Sequence, residues 1–434
     1  MNYQELIDYL NHIPRFTEVK EDLSLMENLM KRLGNPQDQL RCIHVAGTNG
    51  KGSVCAMTTS ILLEEGYTVG TFTSPHLIHF NERMKICNEA ITDEEFSRIG
   101  TKVKEAIEEM IEAGLQHPTF FEVITACAFY YFALKKVDYA VIEVGLGGRL
   151  DATNIIKEPI VTVITPISLD HTSILGDNLE DITGEKAGII KKNCPVVLFS
   201  VKDSVYNKVN EVSKEKNARL FAIDSSITMS IHEKSLKRQI FSIQTPYYSF
   251  RNIQTSLIGD YQVINSATVL LIIDVLRHKE INIKDSSIYR GFEKVVWPGR
   301  MEVVTRGNRI YILDGAHNVD GMTNFMESIS NQTKLPPICI VGFNKDKDYP
   351  LLLDLMMKSK VFKKIIFTPI CSPRTLLPED LYEHYKENIA IKNSLKEAHE
   401  EALNDGKEGN IICCIGSLYL VGEMKDYLDR EGSG

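Results

Sequence analysis

The sequence predicts an α/β protein with two domains. The first is a P-loop-type, doubly wound domain with a small β-rich elaboration, and the second is a smaller Rossmann-like α/β domain at the C-terminal end. Two observations support this prediction. The 434 residues are too many for one ordinary hydrophobic core. Predicted strands and helices alternate along most of the chain, which is typical of parallel sheets covered by helices.

A glycine-rich loop near the N-terminus is the most informative motif. An apolar strand over residues 42–46 leads into the loop at 47–53, and a helix is predicted from there to Glu65, before Gly66. In this setting the loop N–H groups and the helix N-terminus can bind phosphate, with Lys51 reaching the outer phosphates and Ser53 reaching Mg²⁺. Gly52 stands where the usual pattern has Ser or Thr, and an ordinary strand-to-helix turn is the alternative. The predicted nucleotide-binding residues are Gly47, Thr48, Asn49, Gly50, Lys51, Gly52 and Ser53.

The composition argues against several classes of protein. The net charge of −9 and pI of about 5.7 do not suit a general nucleic-acid or membrane-surface binder, because both need a basic face. No apolar run reaches the roughly 20 residues of a membrane span, and the first residues are too polar for a secretory signal. The nine cysteines are scattered without a Cys-x-x-Cys pair. This pattern predicts a cytoplasmic protein and argues against a structural zinc site.

The elements after the loop follow in alternation. Short alternating segments between about 219 and 258 predict the β-rich elaboration, and a helix is predicted from about 261 to 278. Pro298 and Gly299 interrupt regular structure, so we place the domains at 1–296 and 297–434. The other predicted strands cover residues 68–72, 139–144, 160–164, 195–199, 310–313, 338–341, 364–368 and 411–415.

Polar residues at the ends of predicted strands are candidate ligands, because open parallel sheets bind ligands beyond the carboxyl ends of their strands. Ser74 follows the second strand. Glu143 lies inside the apolar run 141–144, where a buried carboxylate needs either a metal or a cationic partner. Asp170 and His171 follow another strand, where a γ-phosphate and its metal would be bound. Because Mg²⁺ prefers oxygen ligands, His171 could instead bind through water or be an ordinary polar surface residue.

Two further motifs are ambiguous when taken alone. Lys186 lies in a predicted helix over 180–192, where a lysine is usually a solvated charge. Residues 314–318 read Asp-Gly-Ala-His-Asn at the end of a predicted strand, and this could be an Asx-type turn.

Taken together, these motifs and their order are specific. They are residues 47–53, 73–77, 80–83, 143–154, 170–171, 185–188, 298–302 and 314–318. Over nearly its whole length the chain resembles the folylpolyglutamate synthases of the Mur ligase superfamily. The glycine after Lys51, which departs from the general phosphate-loop pattern, is that family's own form.

The resemblance implies ATP-dependent formation of an amide between a folate carboxylate and the amino group of L-glutamate, through an acyl phosphate. It implies ATP as a co-substrate and two Mg²⁺ ions, with Lys186 resembling a lysine that is often carbamylated to hold the second Mg²⁺. The implied catalytic residues are Lys51, Lys186, His171 and His317, of which His317 is a candidate base. The implied ligand contacts are Ser74, Glu143, His171 and Lys186 for metal, the loop with Asn265, Arg300, Asp314 and His317 for ATP, and Phe80, Arg83, Asp151 and Ala152 for folate.

Alternatives within and outside the family stay open. A Mur-type ligase for cell-wall nucleotide precursors would need a further domain before the phosphate loop, which here begins at Gly47. A nucleotide-dependent switch protein would carry Asn-Lys-x-Asp, but residues 344–348 read Asn-Lys-Asp-Lys-Asp. The sequence does not rank dihydropteroate against folate as the acceptor. We expect a monomer with small-molecule substrates and no nucleic-acid or membrane partner.

Overall fold

The structure is a computed structural model that describes residues 1–14, 22–200, 202–223, 227–333, 335–405 and 411–431. The chain divides into two compact units. The first comprises Met1–Met229, Ile243–Phe250 and Asn265–Lys294, and the second comprises Ser230–Ser242, Arg251–Ile264 and Val295–Gly434. The domain limits of 1–296 and 297–434 remain a prediction, since this division also assigns two short earlier segments to the second unit.

The first unit contains an eight-stranded sheet, within the described residues, in the order β4-β3-β2-β5-β1-β6-β7-β8. Its strands are β1 (Cys42–Ala46), β2 (Val69–Phe72), β3 (Met84–Ile86), β4 (Glu89–Ala90), β5 (Tyr139–Glu143), β6 (Val161–Ile164), β7 (Val196–Leu198) and β8 (Leu220–Ala222). The strands from β2 to β8 in this order pair in parallel, as predicted. The antiparallel edge formed by β3 and β4 was not predicted, because these strands are too short to show a periodic pattern. Strand β8 belongs to this sheet and not to the β-rich elaboration.

Helices surround this sheet, some in direct contact with its strands and others packed on those helices. They are α1 (Tyr3–His12), α2 (Ser24–Arg32), α3 (Lys51–Glu65), α4 (Asp93–Glu112), α5 (Phe120–Lys135), α6 (Thr172–Leu175), α7 (Leu179–Ala187), α8 (Asp203–Glu215), α9 (Asp260–His278) and α10 (Asp285–Lys294). Apolar residues of α1, α2, α4 and α5 share one core with Phe72 and Ile142 of the sheet. Helix α7 ends at Ala187 and not at the predicted residue 192, with Gly188 as its C-cap.

The predicted β-rich elaboration is a three-stranded sheet in the order β11-β10-β9. Its strands are β9 (Thr228–Lys234), β10 (Gln239–Gln244) and β11 (Ser249–Thr255).

The second unit contains the predicted smaller α/β fold. Its sheet has the order β12-β13-β17-β14-β15-β16 among the described residues, and all pairs are parallel except β12 with β13. The strands are β12 (Glu302–Arg306), β13 (Arg309–Leu313), β14 (Ile338–Val341), β15 (Lys364–Phe367), β16 (Ala390–Ile391) and β17 (Ile411–Ile415). The helices are α11 (Val319–Ser330), α12 (Tyr349–Ser359), α13 (Glu379–Tyr385), α14 (Leu395–Asp405) and α15 (Leu418–Glu431).

The cysteines are free thiols, and most of them are core residues. Only Cys87 and Cys371 are exposed. Across the described ranges, no set of three or more His, Cys, Asp or Glu side chains is arranged to hold a metal ion. In the same part of the chain, no helix has both the length and the apolar character needed to cross a bilayer.

Candidate active site

The glycine-rich loop joins β1 to α3, as predicted, and its glycines are required by close contacts. Gly47 has φ +148° and Gly50 has φ +87°, in the region that favours glycine. A β-carbon at Gly47 would collide with the Thr165 hydroxyl, and one at Gly50 would collide with the Asn265 side-chain oxygen. Gly50 is also the N-cap residue of α3, so the loop turns directly into a helix N-terminus. Such a turn is suited to binding an anion.

Residues that follow β6 hold this loop in place. The Thr165 hydroxyl donates to the Asn49 carbonyl at 2.8 Å, and the Thr48 N–H donates to the Pro166 carbonyl at 2.9 Å. The Asn49 amide donates to the Ser168 hydroxyl at 3.3 Å. These contacts arise because β1 and β6 are parallel neighbours, so the segments after them meet at one edge. Sequence reasoning missed Thr165 and Ser168, although their position directly after β6 was a usable signal.

Two lysines contact the same carbonyl oxygen of the loop. Lys51 Nζ donates to the Gly47 carbonyl at 3.1 Å and to the Thr48 carbonyl at 3.2 Å. Lys186 Nζ donates to the Gly47 carbonyl at 2.8 Å and is only 4% exposed. Taken alone, the helical position of Lys186 predicted a solvated charge, and this was wrong. The helix carries Lys186 on the side that faces the loop, which a single sequence pattern does not reveal.

The surroundings of Lys186 favour its neutral form. Burial and, next, the positive charge of Lys51 lower the pKa of Lys186 to about 7, while Asp170 and Asp151 act in the opposite direction. Near neutral pH a substantial fraction of this amine is therefore unprotonated. An unprotonated lysine amine is a nucleophile, whereas an ordinary surface lysine is not.

Three of the four predicted metal ligands, Ser74, Glu143 and His171, lie at or after the ends of β2, β5 and β6, on the same edge of the sheet. Glu143, at the end of β5, is 4% exposed and accepts a hydrogen bond from the Ser74 N–H at 2.9 Å. His171 has a left-handed backbone, and its N–H donates to Asp170 at 2.9 Å. Mg²⁺ commonly uses one or two protein carboxylates and completes its shell with waters and substrate phosphates. The oxygen donors of Glu143 and Ser74 fit that preference.

The predicted folate residues Phe80 and Arg83 belong to an aromatic and cationic cluster after β2. The Phe80 ring lies 4.5 Å from the ring of His76 and 5.9 Å from that of Phe120. Arg83 Nε donates to His76 Nδ1 at 2.9 Å, and its guanidinium lies 5.4 Å from the centroid of the Phe120 ring. Phe120 was not among the predicted folate residues, whereas the loop that contains His76 was expected to contact the pterin. A flat aromatic ligand could stack against such a cluster.

The other two predicted folate residues are parts of a turn after β5. The Asp151 carboxylate accepts from the N–H groups of Gly145 at 3.1 Å, Leu146 at 2.9 Å and Thr153 at 3.0 Å. Ala152 is 1% exposed and lies in the apolar core of the first unit. A folate contact at Asp151 and Ala152 therefore stays a prediction.

A second polar cluster follows β13 in the second unit. Asp314 is 4% exposed and accepts from the Met301 N–H at 2.8 Å, the Ala316 N–H at 2.8 Å and the Tyr261 hydroxyl at 3.1 Å. Burial raises the pKa of Asp314, and the charge of Arg300 is the largest effect opposing that rise. Tyr261 was not predicted, because nothing in its local sequence separates it from other tyrosines at a helix start.

The remaining two ATP candidates are also placed by local contacts. His317 Nδ1 lies 2.7 Å from the Gly315 carbonyl, which can only accept, so Nδ1 carries the proton and Nε2 of the neutral ring is an acceptor. Asn265 lies in the first unit, against Gly50, whereas Arg300, Asp314 and His317 lie in the second.

Comparison with known proteins shows the family to which this chain belongs. Residues 45–273 match the model of the Mur ligase middle domain, and residues 299–418 match that of the Mur ligase glutamate ligase domain. The chain therefore belongs to the Mur ligase family. It is 37% identical to a dihydrofolate synthase/folylpolyglutamate synthase of Bacillus subtilis, over 98% of this chain and 99% of the relative. It is 33% identical to a folylpolyglutamate synthase of Lacticaseibacillus casei, over 99% of each chain.

Solved structures agree with that assignment. A complex of a folylpolyglutamate synthase with AMPPCP and folate superposes with a TM-score of 0.88 and 32% identity, covering 99% of this chain and all of that one. The Mycobacterium tuberculosis folylpolyglutamate synthase complexed with ADP gives a TM-score of 0.89 and 27% identity, covering 98% of each chain. Within the Mur ligases, this chain belongs with the folylpolyglutamate and dihydrofolate synthases.

Proposed function

We propose that this protein is an ATP-dependent ligase that joins the amino group of L-glutamate to a carboxylate of a folate, with dihydropteroate as a second acceptor. The observation that carries the proposal is the pair Lys51 and Lys186 on the Gly47 carbonyl of a phosphate loop, in a chain of the Mur ligase family. Lys51 can neutralise phosphoryl charge at this loop, and the buried amine of Lys186 can be converted into an oxygen ligand for a metal ion beside it.

The chemistry requires activation of the acceptor. A carboxylate is a poor electrophile, and its oxygen is a poor leaving group. Transfer of the γ-phosphoryl group of ATP to the carboxylate gives ADP and an acyl phosphate. The glutamate amine then attacks the carbonyl carbon, the C–O bond to phosphate breaks, and the nitrogen loses a proton. Lys51 stabilises the charge that spreads over the transferred phosphoryl oxygens.

Mg²⁺ would be held by Ser74, Glu143 and His171, and when bound it neutralises charge on the triphosphate. We propose a second Mg²⁺ on carbamylated Lys186. The neutral Lys186 amine adds to CO₂, forming an N–C bond and releasing a proton, and the product is an anion with two oxygen donors. The pKa of about 7 for Lys186 supports this, because only the unprotonated amine can react.

The other candidate residues take roles that their contacts suit. Asn265, with Arg300, Asp314 and His317, is proposed to contact ATP. Nε2 of His317 is an acceptor in the neutral ring, so it is the proposed base for the glutamate amine.

The folate ring is proposed to lie on the cluster of Phe80 and Arg83, with Asp151 and Ala152 beside it. We further propose a cytoplasmic monomer, to which the free cysteines lend support.

One experiment tests the reaction and its acceptor. The purified chain is incubated with ATP, Mg²⁺, L-glutamate and either dihydropteroate or tetrahydrofolate, and ADP and product masses are followed. We expect ADP release that needs both glutamate and an acceptor, with a product heavier by one glutamyl residue. ADP release that is indifferent to both co-substrates would favour the switch-protein alternative.

A further inference from the structure

A buried histidine lies in β1, the strand that leads into the phosphate loop. His44 is fully buried, and its Nε2 lies 2.8 Å from the Thr153 hydroxyl oxygen. The Thr153 hydroxyl in turn donates to Asp151 Oδ1 at 2.5 Å. None of these contacts is used in the reaction described above. His44, Thr153 and Asp151 form a linear hydrogen-bonded series that we call the His44 chain.

The direction of each proton in the His44 chain follows from chemistry. An ionised Asp151 carboxylate can only accept, so the single hydroxyl proton of Thr153 points to Asp151. The contact between His44 and Thr153 then requires a proton on His44 Nε2. Burial and, next, the charge of Lys191 lower the pKa of His44 to about 3, so the ring is neutral with Nδ1 unprotonated.

This arrangement has a cost that an apolar residue would avoid. His44 Nδ1 has no hydrogen-bond partner among the described residues, and a buried unsatisfied polar atom costs roughly 1–3 kcal/mol. A leucine or valine in the middle of β1 would pack without that cost. The histidine is therefore explained by what its Nε2–H holds, and not by core packing alone.

The far end of the His44 chain holds the turn that follows Glu143. Asp151 Oδ2 accepts from the N–H groups of Gly145 and Leu146, two and three residues after that carboxylate. This turn also contacts the end of α7. A β-carbon at Gly148 would lie 2.7 Å from the Glu185 carbonyl oxygen and 2.9 Å from that of Lys186.

Contacts from the same turn close a circuit back to the phosphate loop. The Arg149 N–H donates to the Glu185 carbonyl at 2.7 Å, and the Arg149 guanidinium donates to the Glu185 carboxylate at 2.8 Å. The next residue, Lys186, donates to the Gly47 carbonyl at 2.8 Å. One end of this circuit is thus in β1 and the other is in the loop that β1 leads into.

We propose that His44 and Thr153 are positioning residues, which act through Asp151 to hold the 145–151 turn and thereby set Glu143 and Lys186 against the phosphate loop. The inference rests on the proposed function for the roles of Glu143 and Lys186. It also assigns Asp151 a positioning role that does not depend on any folate contact.

A matched set of threonine variants tests the His44 chain. Thr153→Val keeps the shape but removes the hydroxyl, whereas Thr153→Ser keeps it. We expect Thr153→Val to lower kcat on the order of 10–100-fold, with less change in KM for ATP, and to reduce the fraction of Lys186 that carries one CO₂ by mass. Thr153→Ser should restore most of both. Thr71→Val is the control. It removes the buried hydrogen bond between the Thr71 and Thr59 hydroxyls, which lie 2.8 Å apart, and should lower thermal stability without this loss of kcat.

Two outcomes would overturn the inference. One is a folded Thr153→Val protein with the kcat and Lys186 modification of the parent. The other is an NMR result on the parent protein, measured at the ring nitrogens of its histidines. This measurement does not depend on whether Thr153→Val folds. The ring-nitrogen signals of His44 are identified by their absence from the spectrum of His44→Gln. We expect them to show a neutral ring protonated on Nε2. A ring protonated on Nδ1 would contradict the proposal. If the parent protein itself makes no glutamyl product, the proposed function fails, whereas the NMR result still decides the His44 chain.

Discussion

Each unit buries an ionisable group near the carboxyl edge of its sheet, Lys186 in the first and Asp314 in the second, and the surroundings of the two groups differ. In the first unit, Lys186 has one carbonyl acceptor and a second cation, Lys51, on the same carbonyl. In the second unit, Asp314 has three hydrogen-bond donors and the charge of Arg300 close by. A well-partnered buried charge holds structure, whereas a poorly partnered amine becomes neutral and reactive. We therefore place the covalent chemistry beside the first sheet.

The largest effect is expected at Lys51. Lys51→Ala removes the cation that neutralises the transferred phosphoryl group, so turnover should fall by about 10³-fold or more. That fall corresponds to a loss of several kcal/mol of charge stabilisation in the transition state. Steady-state ADP release measures this. Lys157→Ala, which removes an exposed lysine paired with Asp38, is the control and should keep parent turnover. Near-normal turnover in Lys51→Ala would refute the assigned role of the loop.

The next effect is expected at Lys186. Lys186→Ala removes the amine that takes up CO₂, and turnover should fall on the order of 10²-fold, since a ligand of the second Mg²⁺ is lost. A short carboxylic acid should rescue part of it by supplying the missing oxygens. Full activity of Lys186→Ala without rescue would contradict the carbamate.

The protonation of Lys186 sharpens the same test in the unaltered protein. A pKa of about 7 means that the neutral fraction rises from about pH 6 to about pH 8, and the carbamate should rise with it. Mass spectrometry of gently handled protein at the two pH values measures the modified fraction. The lowered pKa also affects folding stability. Between about pH 7 and pH 10.5 the unfolded lysine binds more protons than the folded one, so this group's contribution to the free energy of unfolding increases with pH over that range. A carbamate fraction that falls with pH would be inconsistent with this account.

A smaller effect is expected at Asp314, because its partners hold structure. Asp314→Asn keeps the size of the side chain but loses the charge that faces Arg300. We expect KM for ATP to rise by about tenfold, which corresponds to about 1.4 kcal/mol of binding free energy. Tyr261→Phe removes only one of the three donors and is the milder matched variant, with a loss of about 1 kcal/mol in unfolding free energy. An Asp314→Asn effect as large as that of Lys51→Ala would remove the contrast between the two edges.

The smallest effect on turnover is expected at Asp274, a fully buried carboxylate of α9 that has no proposed role in the reaction. Burial raises its pKa to about 6, against the lowering effects of Thr245, Arg277 and His278. A raised pKa contributes stability that is complete below about pH 3.8 and is lost as the pH rises through about 6. Asp274→Asn should therefore raise the free energy of unfolding at pH 7 by up to about 3 kcal/mol, with less gain near pH 5. Chemical denaturation at both pH values measures this, and an equal change at both would count against the raised pKa.

Local patterns accounted for more of the fold than of the site. The phosphate loop, the strand ends at Ser74, Glu143 and Asp314, and the order of most elements are written in short stretches of sequence, so they could be predicted. The burial of Lys186 depends on how α7 lies against the loop, which is a tertiary contact. The same holds for Thr165, Tyr261 and His44, whose partners are distant in the sequence.

The most direct test of the central claim follows one oxygen atom. The acceptor carboxylate of tetrahydrofolate is labelled with heavy oxygen and incubated with the chain, ATP, Mg²⁺ and L-glutamate. Attack of that carboxylate on the γ-phosphoryl group, followed by amide formation, must leave one labelled oxygen in the released phosphate. We predict phosphate carrying one heavy oxygen for each amide formed. Glutamyl product accompanied by unlabelled phosphate would contradict the acyl phosphate and the account built on it.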